Sequence, residues 1–279
     1  MFPPILPSAT ENHLPSLGLR RAALQALLLT SPPDKVAATR QLYANIKHHP
    51  LDVNECLTQP EGLPGRPQRP LLVSHLAVPV RSPFTTAGRA ALLHSVTHIE
   101  FNAINLALDA VWRFPAMPEA YYQDWLQVAS EEALHFTLLS DHLLTLGVQY
   151  GDFDAHDGLW EMTQRTATDI TARMALVPRT LEARGLDATP PMQAKLRQAG
   201  DLRAVEILDV ILRDEVGHVA IGNRWYHWLC QRDGRDAQAL YPELAAQYGA
   251  PRLRPPFNVD ARRLAGFTDD ELVALQNAV

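Results

Sequence analysis

Glu100, Glu132-Ala-Leu-His135, Glu182 and Glu215-Val-Gly-His218 are four short stretches of one 279-residue chain, and their spacing decides how it folds. Each lone glutamate precedes a Glu-x-x-His: from 100 to 132 is 32 residues, and from 182 to 215 is 33. The chain repeats itself. On an α-helix, residues at i and i+3 lie about 60° apart around the axis, so each Glu-x-x-His delivers a carboxylate and an imidazole into the same space. With each lone glutamate on the preceding helix, four helices supply four carboxylates and two imidazoles to one interior.

A single Glu-x-x-His carries little weight in a chain with 11 histidines. The conjunction carries more. Leu93, Val96, Ala103 and Ile104 flank Glu100 on one apolar stripe; Trp125, Val128, Ala129, Phe136 and Leu139 share the face of Glu132 and His135; Leu208, Ile211, Leu212 and Val219 share that of Glu215 and His218. Burying a carboxylate costs several kcal/mol unless it is paired or bound to a cation, so four inward glutamates need a common explanation. A pair of metal ions supplies one, as in carboxylate-bridged helix bundles; a network of buried salt bridges is the bland alternative. Glu182 is the most exposed to that alternative, because Arg179 at i−3 and Arg184 nearby offer it a plain ion pair. His94 and His98 fall about 120° and 160° around the helix from Glu100 and are expected to face other helices or solvent. His142 and Tyr226, on the faces of His135 and His218, and Arg179 are candidates to support the ligands from behind.

Composition narrows the function classes. A net charge of −6 and a pI near 6.0 give no basic field for nucleic acid or anionic lipid. Cys56 and Cys230 form no Cys-x-x-Cys, which argues against a disulfide framework or a thiolate zinc site and for a reducing cytoplasm. No signal peptide and no bilayer-spanning stretch is read.

Along the chain, four prolines in residues 1–15 predict an irregular arm, followed by helices over Ser16–Thr30 and from Pro32 to about Lys47. Prolines at 60, 64, 67, 70, 79 and 83 predict an extended connector. Long helices are expected over Thr85–Phe114, Glu119–Leu146 and Leu202–Gln231, the last capped by Asp201. Gly151–Gly158 reads as a crossover loop, with Asp157 capping the helix after it. That third helix is expected from Leu159 to about Ala183, kinked at Pro178, with Gly185, Pro190 and Pro191 breaking the chain beyond it before a short helix to Ala199. Past Gly234 a tail ends in a helix opened by a Thr268/Glu271 capping box. With no strand pattern the fold class is all-α. Its divisions are an N-terminal part (1–83), a four-helix core (84–233) and a covering tail (234–279).

Several segments also carry a resemblance: Leu92-Leu93-His94 through Glu100, Glu131-Glu132-Ala133-Leu134-His135-Phe136, His156-Asp157-Gly158-Leu159-Trp160, Val177-Pro178-Arg179 through Asp187, Asp214 through Val219, and Pro256-Phe257-Asn258 with Ala265-Gly266-Phe267. They closely resemble the bacterial ferritin-like family known as domain of unknown function 455, over nearly the whole chain from about residue 16. The resemblance implies a ferritin-like four-helix bundle and a di-metal centre, without an assigned reaction.

Carboxylate and imidazole donors suit iron first, with manganese or a mixed manganese–iron pair as alternatives. The six ligands are Glu100, Glu132, His135, Glu182, Glu215 and His218. The leading expectation is an O2-dependent oxidoreductase, a hydroxylase or related oxygenase of a small organic substrate, served by an electron-donor protein. An iron-handling ferroxidase or storage protein and a non-catalytic helical scaffold are the competitors. The oligomeric state stays open.

Overall fold

Helices account for almost all regular structure in the computed structural model, which describes residues 17–79 and 81–277; the expected arm over residues 1–15 lies outside them. Two short helices come first, α1 (Leu19–Leu28) and α2 (Pro32–Ala44), the latter started by Pro32 with Ser31 Oγ accepting from Asp34 N–H. The connector holds one 3-10 turn and a single parallel bridge, Leu72 to Ala155. Among the described residues there is no strand pairing beyond that bridge.

The long helices α3 (Thr86–Arg113) and α4 (Glu119–Thr145) come next as an antiparallel pair. Tyr122 ties their loop by donating to the Phe114 carbonyl at 2.9 Å. Gly147, at φ 78°, ends α4: its N–H bonds Leu144 O at 3.1 Å and that of Val148 bonds Leu143 O at 3.2 Å. This left-handed turn closes the last carbonyls of the helix and suits glycine.

The third helical segment departs most from expectation. It comes in pieces, α5 (Gly158–Arg165), α6 (Ile170–Leu176), a π-helical turn (Val177–Glu182) and α7 (Ala183–Gln198). Asp169 caps α6 through Ala172 N–H, and the buried Arg173 reaches back across the break to Thr163 O at 2.5 Å and Thr166 Oγ1 at 2.8 Å. Its Nη1 also meets Asp109 of α3 at 2.5 Å, where the carboxylate takes Trp112 and Arg113 as well. The kink expected at Pro178 takes the form of the π-turn, where Thr180 Oγ1 donates to Ala175 O at 2.8 Å. The short helix expected up to Ala199 is present as the end of α7, but the break expected before it at Gly185, Pro190 and Pro191 does not occur, because α7 runs through all three. Pro190 frees the carbonyl of Leu186, and Asn258 Nδ2 donates to that oxygen at 3.2 Å. Asp157 occupies the N-cap position of α5, but its carboxylate pairs with Arg66 at 2.7 Å instead of capping.

Asp201 caps α8 (Leu202–Arg232) as expected, accepting from Ala204 N–H at 3.1 Å. The tail holds α9 (Ala237–Gln247), which the prolines hid, then α10 (Val259–Leu264) and α11 (Asp269–Asn277). The Thr268/Glu271 capping box is present, with reciprocal bonds of 2.9 and 3.3 Å.

In the assembled chain α1 lies on α3, α2 on α4, and α8 against α4, α6, the π-turn and α7. The apolar interior is divided along the long helices. One cluster includes Val96, Leu139 and Ile211; another includes Phe101, Val128 and Trp225. Glu100, Glu132 and Glu215 fall in the layer between them. No helix of the described residues is long and apolar enough to cross a membrane.

Candidate metal centre

Each long helix brings its acid inward at mid-length, where backbone bonding is saturated and side chains are held by packing from both apolar clusters. Glu132, His135 and His218 have no exposed surface, Glu100 retains 3% and Glu215 8%. One ligand atom each from Glu100, Glu132, His135 and Glu215 lies within 4.8 Å of the others, a group that could hold a metal ion. His218 joins them through Nδ1, 2.9 Å from Glu132 Oε1 and 3.8 Å from Glu215 Oε1. Glu132 is the centre of the arrangement: its other oxygen is 3.2 Å from His135 Nδ1, which also lies 3.3 Å from Glu100 Oε2. Glu182 closes the π-turn, half-buried as a residue but with Oε2 sealed from solvent. It is not one of the four residues whose ligand atoms group together, but the charges of Glu215, Glu132 and His218 all act on its carboxyl.

The donor set fits a cation. Glu182 Oε2 and Glu215 Oε2 are buried without a hydrogen-bond partner, and Glu100 Oε2, Glu132 Oε1 and His218 Nδ1 approach one another's groups only as close ionic contacts without hydrogen-bond geometry, although a buried polar atom is ordinarily satisfied. Five such atoms around one interior are what a cation would draw together. Without an ion, protons balance the charge. Burial, then the charge of Glu132, pushes Glu100 well above the usual carboxylate range; burial, then Glu215, does the same to Glu182. Burial also raises Glu215. Burial opposes ionisation of Glu132 too, but His218 and His135 beside it prevail and hold it below its ordinary value. Both imidazoles are raised well above 6.5 by their carboxylate partners, against the effect of burial.

The outer faces of the imidazoles show how they are aimed. His135 Nε2 bonds Asp214 Oδ2 of α8 at 3.1 Å, and His218 Nε2 bonds Glu131 Oε2 of α4 at 2.7 Å. Each histidine is therefore oriented by the acid beside the other hairpin's Glu-x-x-His. A carboxylate on Nε2 fixes that nitrogen as the N–H donor and turns the Nδ1 lone pair inward. Glu131 and Asp214 are partners of the cluster that the spacing argument passed over. The signal was available, because an acid immediately precedes the motif glutamate in both halves.

The three residues expected to support the ligands are engaged elsewhere. His142 Nε2 meets Asp201 Oδ1 at 2.9 Å at the end of the bundle of helices, and Tyr226 donates to Ala237 O at 2.6 Å. Arg179 does not pair with Glu182. It bonds Asn223 and Glu271 at 2.7 and 2.5 Å and stands over the rings of Tyr226, Tyr241 and Phe267, fastening the tail to the π-turn. His94 and His98 point away from the cluster into the protein: His94 Nε2 accepts from Gly151 N–H at 2.8 Å, and His98 Nδ1 meets Tyr150 at 2.9 Å.

Fold and site together define a helical protein with a buried carboxylate–imidazole cluster able to take metal. The chain belongs to the family described as protein of unknown function (DUF455), whose family model matches residues 28–273. An uncharacterized protein of Haemophilus influenzae (strain ATCC 51907 / DSM 11121 / KW20 / Rd) is 50% identical over 259 residues, covering 88% of this chain and 90% of that protein. No solved structure matches.

Proposed function

We propose that the chain is a ferritin-like di-metal carboxylate protein, loaded with iron, manganese or one of each, that acts as an O2-dependent oxidoreductase on a small organic substrate. One observation carries this reading: Glu132 offers one oxygen to each of two inward-facing imidazole Nδ1 atoms, at 3.2 and 2.9 Å. Glu132 at the centre, with Glu100, His135, Glu182, Glu215 and His218, would hold the ions. When bound, two such redox ions supply the electrons and the open position needed to activate O2. The chain's own residues do the rest. Glu131 and Asp214 hold the imidazoles in register, and the surrounding apolar clusters, including one with Ala183 and Val219, keep bulk water from the reacting centre. Gln127 bonds Glu131 at 3.0 Å, and the Glu131 side chain is about one-third exposed, so the site reaches solvent through Glu131 on the α4 side. An electron-donor protein is the partner this chemistry requires.

The test is metal analysis of protein produced with iron and purified without chelator. About two ions per chain are expected, with Glu132→Ala and Glu215→Ala each losing most of the metal. Ferrous protein should consume O2. Less than about one ion per chain in the iron-supplemented parent protein would overturn the reading in favour of a scaffold. A large hollow assembly holding iron far beyond that stoichiometry would replace it with storage.

A further inference from the structure

Trp125 on α4 and Trp225 on α8 stand at matching distances from the carboxylate–imidazole cluster. Trp125 precedes Glu132 by seven residues and Trp225 follows His218 by seven, so each lies two helical turns, about 10 Å, from a proposed ligand on its own helix. Tyr121 joins the two: its ring centroid is 6.4 Å from that of Trp125 and 5.4 Å from that of Trp225. Trp225 in turn meets Trp228 at 5.6 Å. Tyr121, Trp125 and Trp225 are buried, whereas Trp228 is partly exposed, with the Arg232 guanidinium over its ring. Three of the chain's five tryptophans and one tyrosine therefore make a continuous run of ring contacts from two turns short of the cluster to the surface.

Packing accounts for the contacts, but the hydrogen bonds along the run give it a direction. Trp125 Nε1 and the Tyr121 hydroxyl are buried with no hydrogen-bond partner. An indole that loses an electron becomes a strong N–H acid, yet nothing beside Trp125 can take the proton. Its oxidised form keeps a full charge in apolar surroundings and is high in energy. Tyr121 is closed to oxidation for the same reason, because a phenol gives up an electron readily only together with its proton. Trp225 differs: its Nε1 donates to Asp124 Oδ2 at 2.8 Å, a carboxylate that Arg224 also holds. Here the proton has a base to go to. Trp225 is thus easier to oxidise than Trp125, and an electron runs downhill from Trp225 towards the cluster. Tunnelling falls off steeply with distance, so short steps between rings outrun one long one.

We propose that this run is the route by which single electrons enter the cluster from the surface, an inference that rests on the redox reading of the cluster given above. Trp125 gives one electron to an oxidised ion and keeps its N–H. Trp225 refills Trp125 through the Tyr121 ring and passes its indole proton to Asp124, leaving a neutral radical. One electron from the external donor, arriving through Trp228, and the proton returned by Asp124 restore Trp225. One electron crosses the protein for each cycle and no proton does.

Two measurements test the route, the first without metal. In the metal-free full chain, laser-flash oxidation with tris(bipyridine)ruthenium and persulfate should leave a neutral tryptophan radical, read by transient absorption and electron paramagnetic resonance. Trp225→Phe, which keeps an aromatic ring beside Tyr121 and Trp228, should lose that radical. Asp124→Asn lies at a partly exposed position and keeps a hydrogen-bond acceptor without a base, so it should give the cation-radical spectrum instead. In iron-loaded protein first oxidised by O2, re-reduction by methyl viologen radical, an outer-sphere donor, should slow at least about tenfold in Trp225→Phe at unchanged iron content. The same radical in Trp225→Phe as in the parent, a neutral radical in Asp124→Asn, or re-reduction of iron-loaded Trp225→Phe at the parent rate each overturns the proposal. A chain that takes no iron overturns it together with the reading it rests on, and metal analysis tells that case from the others.

Discussion

His135 and His218 each touch carboxylates on both edges, and the outer edge is where substitution is most informative. Asp214→Asn or Glu131→Gln leaves every proposed ligand in place but removes the charge that orients an imidazole. Metal affinity should fall about tenfold or more in a competition titration against a chelator, whereas His142→Gln should leave it unchanged. Lys35 offers a second measurement away from the site. Its ammonium is fully buried among Leu27 O, Gly65 O and Asn105 Oδ1, at 3.0, 2.7 and 2.5 Å. Burial, reinforced by the charge of Arg66, lowers it from 10.5 to about 7. Between those values the unfolded chain binds more protons than the folded one, so this group makes stability rise with pH from about 7 to 10.5. Urea denaturation of the parent protein should show up to ~2 kcal/mol more of that rise between pH 7 and 9 than Lys35→Met shows.

Among the elements, α8 and the π-turn approach each other closely at Gly222. A Cβ on Gly222 would lie 2.5 Å from Pro178 Cβ, so Gly222→Ala must displace the turn that ends in Glu182. A loss of about 1–3 kcal/mol is expected, together with weaker metal binding. Gly185, one turn beyond Glu182, has nothing within 4 Å of such a Cβ, and Gly185→Ala should raise stability by about 0.5–1 kcal/mol. The two alanines separate crowding from helix propensity in one denaturation series. The elements also show what a sequence discloses. The α3, α4 and α8 boundaries were legible because each helix keeps a 3.6 period, a capping side chain or a terminal glycine within its own residues. The break between α5 and α6 was not, because Arg173 stabilises it by reaching Asp109 on another helix. The continuity of α7 through Pro190 depends on Asn258, 68 residues further on. Pro242 likewise hid α9, although Asp236, accepting from Gln238 and Ala239 N–H, was a readable cap. Local signals are in the sequence; compensation by distant residues is not. The same division holds at the site, where the inward residues could be read from spacing but the partners of Arg179 depended on where the tail docks.

At the scale of the molecule, buried charge joins the parts. Asp109 is fully buried with Arg173, Arg113 and the Trp112 indole N–H on its carboxylate. Asp109→Ala would strand Arg173, which is 1% exposed, and should cost about 3–5 kcal/mol in urea denaturation. Replacing Arg173 and Asp109 together should cost less than the two single losses summed. The crossed bonds from His135 to Asp214 and from His218 to Glu131 have a different kind of consequence. Neither hairpin contains a finished half of the cluster, since each imidazole is set by an acid the other hairpin carries. A unit of this kind on its own would work only face to face with a twin, each lending what the other lacks, as in a two-fold symmetric pair. The chain has the form of such a pair covalently joined. The joined halves are not identical: one lone glutamate stands on an unbroken helix and the other at the end of a π-turn.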